Sequence, residues 1–198
     1  MKILNRFTGE LIFEYQNRSI KETVETAAEE KISLEGANLE GANLNGAHLE
    51  GVNLINANLS NANLMNANLM NADLRGSNLI GSYLRHTDLS FANMRATCLT
   101  EADLRGADLR GSNLTEANLW GEKLCKNPLY INAGLRYQVW ATDRKIKIGC
   151  QLHSTAAWEH FTDAQIKEMD GDDALKFWAV WKKPILAMAK QHQRKEEK

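Results

Sequence analysis

Leucine recurs at every fifth residue from Leu34 to Leu124, and Met94 is the one exception in a series of nineteen. That period fits neither regular element. A helix repeats its faces every 3.6 residues and a strand every two, so one continuous helix or strand would scatter these leucines around its surface. Two residues before each leucine, from Ala37 to Ala117, stand only Ala, Ser, Thr or Val. The residue between is mostly Asn or Asp, as in Asn38, Asn43, Asp73 and Asp103. Positions two apart point the same way in extended chain, so the small residue and the leucine face inward together on a short strand. The other two residues of each unit then have to turn a corner. Gly36, Gly41, Gly46, Gly51, Gly76, Gly81, Gly106 and Gly111, with Asn56, Asn61, Asn66 and Asn71, stand at the second of them. Gly and Asn are the residues that tolerate turn dihedrals best. Extended stretch and corner alternate, and the chain coils.

The run Ala37-Asn38-Leu39-Glu40-Gly41 and its successors resemble the A(D/N)LxX unit of the pentapeptide-repeat family, over residues 32–125. The resemblance implies a mainly β fold: a right-handed quadrilateral β-helix, four units to a coil, with leucine filling the axis and the small residue beside it. Nineteen units would make nearly five coils. At roughly 4.8 Å between hydrogen-bonded strands, the stack is on the order of 20 Å tall. Tyr83 and Cys98 replace the usual Asn or Asp, and Glu122-Lys123 disrupt the last unit, so regular coiling is expected to end near Leu124.

A stacked coil leaves unpaired backbone groups at each end, which would template aggregation unless covered. Residues 1–31 are expected to be the first cap. Lys2 to Phe7 and Glu10 to Tyr15 read as strands around Thr8-Gly9, followed by a helix that opens on a Ser19/Glu22 capping box. Residues 126–198 are expected to form an α+β region. Leu135 to Thr142 and Lys145 to Leu152 read as a hairpin joined at Asp143-Arg144. Ser154 or Thr155 caps a short helix around Trp158, Thr162 with Gln165 opens another, and Gly171 ends it. A last helix from Asp172 or Asp173 carries Phe177, Trp178, Trp181, Ile185 and Leu186, with a kink expected at Pro184. Trp120 is expected to pack against this C-terminal region. The resemblance also raises dimerisation through a C-terminal helix.

The charge is nearly balanced, 24 Lys and Arg against 25 Asp and Glu, so no bulk field selects a partner. No apolar run approaches the roughly 20 residues of a membrane helix, and Met1 to Phe13 lacks the apolar core of a signal peptide. Three cysteines far apart in sequence, Cys98, Cys125 and Cys150, argue against a disulfide framework. These features read as a cytoplasmic protein. A leucine-filled axis has no room for the convergent groups that catalysis needs, so no catalytic residue, metal or cofactor is expected. The exceptions open to the sequence are a metal or enzyme site around Cys150, His153 and His160, and a nucleophile at Cys98. A structural role is favoured for each, since zinc calls for four ligands and Cys98 has no basic neighbour in sequence.

The expected function is to present a rigid surface to a macromolecular partner. With four units to a coil, residues twenty apart stack, which sets Arg75 over Arg95 and Arg85 over Arg105, with Arg110 beyond. Like charges that close repel unless an anion intervenes. A partner could supply the anion, but Asp73, Asp103 and Asp108, two residues before Arg75, Arg105 and Arg110, favour local pairing. Ile55, Met65, Met70 and Ile80 put apolar side chains at the first corner position and form a second candidate surface, a belt spread over different faces. The alternative partner is a DNA-binding protein such as gyrase, since some members of the family resemble DNA in shape and charge. Ten acidic against six basic side chains in residues 32–125 is too mild a negative charge to favour that reading.

Overall fold

The computed structural model describes residues 1–16, 18–119, 122–124, 127–131, 137–142 and 144–193. The chain divides into two units, Met1–Lys126 and Asn127–Lys198.

The first unit opens with β1 (Lys2–Leu4) and β2 (Leu11–Glu14), an antiparallel hairpin with a register shift between Ile3 and Leu4. Helix α1 (Ile20–Glu29) follows, and the expected capping box is present in both directions between Ser19 and Glu22. These elements cover the first coil by three different means. Asn5 bridges Ala37 in antiparallel fashion, with the Asn38 N–H donating to the Leu4 carbonyl at 2.8 Å. The Lys21 ammonium donates to the carbonyls of Asn45 and Gly46 at 3.0 and 3.1 Å. The Glu25 carboxylate accepts the His48 N–H at 2.9 Å. Each group so held is one that would otherwise sit on an open β edge.

From residue 34 the backbone coils as the five-residue period requires. Parallel bridges join residues twenty apart, from Asn38 with Asn58 through Asn93 with Asn113. Each turn of the solenoid therefore takes four units. Neighbouring coils exchange bonds such as Leu39 N–H to Asn58 O at 2.7 Å and Asn58 N–H to Ala37 O at 2.8 Å. At the corners the Ala37 N–H reaches back to the Leu34 carbonyl at 3.0 Å, and Gly36 takes φ +68°, the signature of a type II turn. The same three-residue reach closes the corner at Ala117 on Leu114. His86, Phe91, Ala96, Glu101 and Glu116 also occupy this left-handed slot, at φ between +57° and +63°, against the preference for Gly or Asn there.

Inside, the leucines of the series are at most 5% exposed and Met94 is fully buried. Ser and Thr in the small-residue slot bring their own acceptors. The hydroxyls of Ser77 and Ser82 donate to the carbonyls of Leu74 and Leu79 at 2.7 and 2.8 Å, and those of Thr87 and Thr97 reach Leu64 and Leu74 one coil earlier. No uncompensated buried hydroxyl results at these positions. Strand β3 (Cys98–Leu99) pairs in parallel with β4 (Asn118–Leu119), and β5 (Glu122–Lys123) folds back antiparallel on β4. The Leu124 N–H donates to the Ala117 carbonyl at 2.9 Å. Coiling thus ends near Leu124 because the chain reverses there. The expected contact of Trp120 lies outside the described residues.

The second unit is built on a four-stranded antiparallel sheet in chain order: β6 (Leu129–Ile131), β7 (Val139–Ala141), β8 (Lys145–Ile148) and β9 (Gln151–Ser154). The expected second strand, Lys145 to Leu152, is in fact two. Gly149 takes φ +58° and Cys150 does not take a positive φ, so a two-residue turn with a left-handed first position closes Ile148 against Gln151. Leu135 and Asp143 of the expected first hairpin lie outside the described residues. Ser154 caps α2 (Thr155–His160), and Thr162 and Gln165 exchange bonds of 3.0 and 3.4 Å at the start of α3 (Asp163–Gln193). Helix α3 breaks at Asp170 and Gly171, near the expected stop. The kink expected at Pro184 is absent from the dihedrals, which stay helical there; the break falls at Asp170–Gly171 because glycine supplies φ +64°. Trp158, Trp178, Phe177, Ile146, Ile185 and Ala189 make the core, and the Trp158 indole N–H donates to the Ile146 carbonyl at 2.8 Å. No described helix is long and apolar enough to cross a membrane.

Candidate functional site

The outward side chains of the coil stand in columns, because residues twenty apart are bridged. Asn or Asp before each leucine turns back on its own corner: the Asn53 side-chain oxygen accepts the Ile55 N–H at 3.0 Å, and the same contact recurs at Asn63, Asn68 and Asn78. This local bond explains the residue type. It also positions the next outward residue, which is where the arginines are.

Three of them close on the aspartate two residues earlier through Nε and Nη2. The distances are 2.8 and 2.7 Å for Arg75 with Asp73, 2.8 and 2.6 Å for Arg105 with Asp103, and 2.9 and 2.6 Å for Arg110 with Asp108. Hydrogen bonds from these guanidinium groups hold all three aspartates below the usual carboxylate range. Arg95 has Asn93 at the corresponding place and reaches instead to Glu116 in the next coil, at 3.2 and 2.6 Å. The stacked like charges at Arg75 and Arg95 are thereby each compensated inside the chain. A groove of about 290 Å³ runs down this corner past Ile55, Arg75, Gly76, Arg95, Ala96 and Glu116. Arg85 differs. Its Nε is buried with no hydrogen-bond partner among the described residues.

The apolar belt is less open than its corner positions suggest. Ile80 is 38% exposed, whereas Ile55, Met65 and Met70 are half-buried, each at a different corner. Two more exposed side chains are aromatic: Tyr83 at 52% and Phe91 at 64%. Tyr83 departs from the usual Asn or Asp at its place in the repeat, and Phe91 stands in the left-handed corner slot that Gly or Asn mostly fill.

In the second unit a cavity of about 190 Å³ is walled by Tyr137, Ile148, Trp158, Phe177 and Trp178, with Cys150 and Asp170 also lining it. The Tyr137 hydroxyl donates to the Asp170 carboxylate. His153 and His160 do not line this cavity. The His153 ring packs edge-on against Trp158 and Phe161, with centroids 5.4 and 4.9 Å away, and the His160 Nδ1 lies 2.7 Å from the Ala156 carbonyl oxygen. Cys150, His153 and His160 therefore face three different surroundings. Among the described residues no group of three or more His, Cys, Asp and Glu side chains is placed to hold a metal ion. Cys98 lies 3.6 Å from the Thr100 hydroxyl, in the ladder of the coil.

A leucine-filled β-coil with its polar residues turned back on their own corners defines a β-solenoid repeat protein. The model of the pentapeptide-repeat family matches in eight copies, over residues 32–69, 67–106 and 99–125, and this stretch carries pentapeptide repeats. Among solved structures it is similar to HetL, a pentapeptide repeat protein involved in heterocyst differentiation regulation from the cyanobacterium Nostoc sp. strain PCC 7120. That match has 36% identity over 43% of this chain and 40% of the other, with a TM-score of 0.43. It is similar to Rfr23 from the cyanobacterium Cyanothece 51142, at 35% identity over 43% of this chain and 56% of the other, with a TM-score of 0.38. It is also similar to a pentapeptide repeat protein of the Arabidopsis thaliana thylakoid lumen, at 35% identity over 43% of this chain and 63% of the other, with a TM-score of 0.38. The matched part of the chain spans 40 to 63% of the length of these structures. No curated protein matches.

Proposed function

We propose that the chain is a non-enzymatic interaction module that presents the outer surface of its β-coil to a protein partner in the cytoplasm. The right-handed, four-sided section that the family implies is part of this proposal. The observation that carries it is the division of labour within each repeat unit: leucine and its small neighbour are consumed by the axis, and the outward positions, the corners and the residue before each leucine, are left to vary. Variation on a rigid frame with rows roughly 4.8 Å apart supplies a surface that can be specific without reorganising on binding. The test is affinity capture from the native host with the full chain, then purification of the captured protein and calorimetric titration of the pair. The expected outcome is a stoichiometric complex weakened roughly tenfold or more when Ile80 and Tyr83 are both changed to Ser. Absence of any stoichiometric complex, or a purified chain carrying stoichiometric zinc, counts against the reading.

A DNA-like surface is less favoured, because Asp73, Asp103 and Asp108 each spend their charge on an arginine of the same unit. Mimicry of nucleic acid needs rows of uncompensated negative charge. Gyrase supercoiling is expected to be unchanged by the protein, in the presence or absence of a drug.

A further inference from the structure

The coil carries five arginines at the first corner position, and the chain supplies carboxylates to them in two ways. Arg75, Arg105 and Arg110 take the aspartate two residues before them. Arg95 lacks that aspartate and takes Glu116, twenty-one residues on. At Arg85 both places are empty of charge: residue 83 is Tyr and residue 106 is Gly. Tyr83 is bridged to Asp103 in the next coil, and Asp103 feels the charge of Arg85. The Asp103 carboxylate bonds Arg105, at 2.8 and 2.6 Å, and among the described residues makes no hydrogen bond to Arg85.

The Arg85 guanidinium is poised asymmetrically. Its Nε is shielded from solvent and has no partner among the described residues, while neither Nη is a buried unpartnered atom. The terminal Nη edge is therefore the end open to an incoming group. Beside it on the same face Tyr83 leaves 52% of its surface exposed, and Met65 stands half-buried one coil earlier. A partly desolvated arginine next to an exposed tyrosine and an apolar side chain has the composition of an interface hot spot. Partial removal from water strengthens whatever charge it meets.

We infer that Tyr83 and Arg85 form a docking point for a carboxylate side chain, Asp or Glu, presented by a segment of a partner protein. The partner's carboxylate takes the place that Asp73, Asp103, Asp108 and Glu116 fill for the other four arginines. The segment's apolar part lies along Tyr83 and Met65. This inference rests on the interaction-module reading and names the chemistry that one face of the module selects.

The test is selection of a random peptide library, displayed on phage, against the folded full chain, followed by titration of one selected peptide against three variants. Selected sequences are expected to be enriched in Asp or Glu. Arg85→Gln should weaken the peptide roughly tenfold or more. Tyr83→Asp should weaken it as much by a different route: it rebuilds the Asp-Leu-Arg unit, gives Arg85 a carboxylate of its own and keeps the coil folded, as circular dichroism will report. Arg110→Gln, at an arginine that already has its carboxylate, should change affinity by less than about twofold. A selection without acidic enrichment, or a Tyr83→Asp chain that binds the peptide as the parent does, overturns the inference. Neither outcome touches the interaction-module reading, which stands or falls on the captured partner and its titration.

Discussion

The coil and the C-terminal unit solve the same problem of burial in opposite ways. In the coil the buried leucine unit repeats every five residues, and each coil of four units contacts the ones twenty residues before and after it. Stability there is close to a sum over layers. Among the described residues of the second unit the cluster around Trp158, Phe177 and Trp178 draws on β7, β8, α2 and α3, with Leu129 of β6 packed against it, so no part of it repeats another. Repetition frees the outer positions of the coil to vary, whereas the C-terminal unit commits its large side chains to its own core.

That difference can be pressed hardest at Trp178, which is 4% exposed. Trp178→Ala should cost the C-terminal unit about 3–5 kcal/mol and leave the coil's unfolding transition in place, as urea titrations followed by tryptophan fluorescence and by far-ultraviolet circular dichroism will separate. Loss of both signals together would merge the two units into one. Leu64→Ala, at a fully buried axial position, should cost the coil about 2–5 kcal/mol with the C-terminal transition unmoved.

A smaller effect of opposite sign is expected at the corners. Ala96 sits at φ +59°, so Ala96→Gly should stabilise the coil by about 1 kcal/mol, whereas Ala62→Gly in the extended slot should destabilise it by about 0.5–1 kcal/mol. Equal effects of the two changes would remove the turn argument. The smallest effect is on pH. Asp73, Asp103 and Asp108 have depressed folded values, so the stability they contribute is present above the unfolded value of about 3.9 and is lost as pH falls through the folded ones. Solvent exposure keeps that contribution modest. Urea midpoints between about pH 5 and pH 2 should fall less steeply in the combined Arg75→Gln, Arg105→Gln, Arg110→Gln chain than in the parent.

What the sequence disclosed follows the range of the interactions. The axis, the corners, the Ser19/Glu22 box and the Thr162/Gln165 box are set by neighbours within five residues, and all were legible. So were the pairs of Arg75, Arg105 and Arg110 with aspartates two residues away. Arg95 with Glu116 was not, because Glu116 stands twenty-one residues on, one place off the column that a twenty-residue registry stacks. The turn at Gly149 was hidden inside an apolar alternation that a continuous strand would also satisfy. Pro184 misled because a proline can sit in a helix whose dihedrals stay regular, while the glycine at 171 took the break. The partial burial of Ile55, Met65 and Met70 depends on neighbours in adjacent coils, which spacing alone does not reveal.

The central claim is that recognition belongs to the outside of the coil and not to the aromatic cavity of the second unit. Oxidative footprinting of the full chain with and without its purified partner, read by mass spectrometry, tests it directly. Protection at Tyr83 and Met65 with Tyr137, Cys150 and Met169 unchanged is the predicted result. Protection confined to Tyr137, Cys150 and Met169 would contradict it.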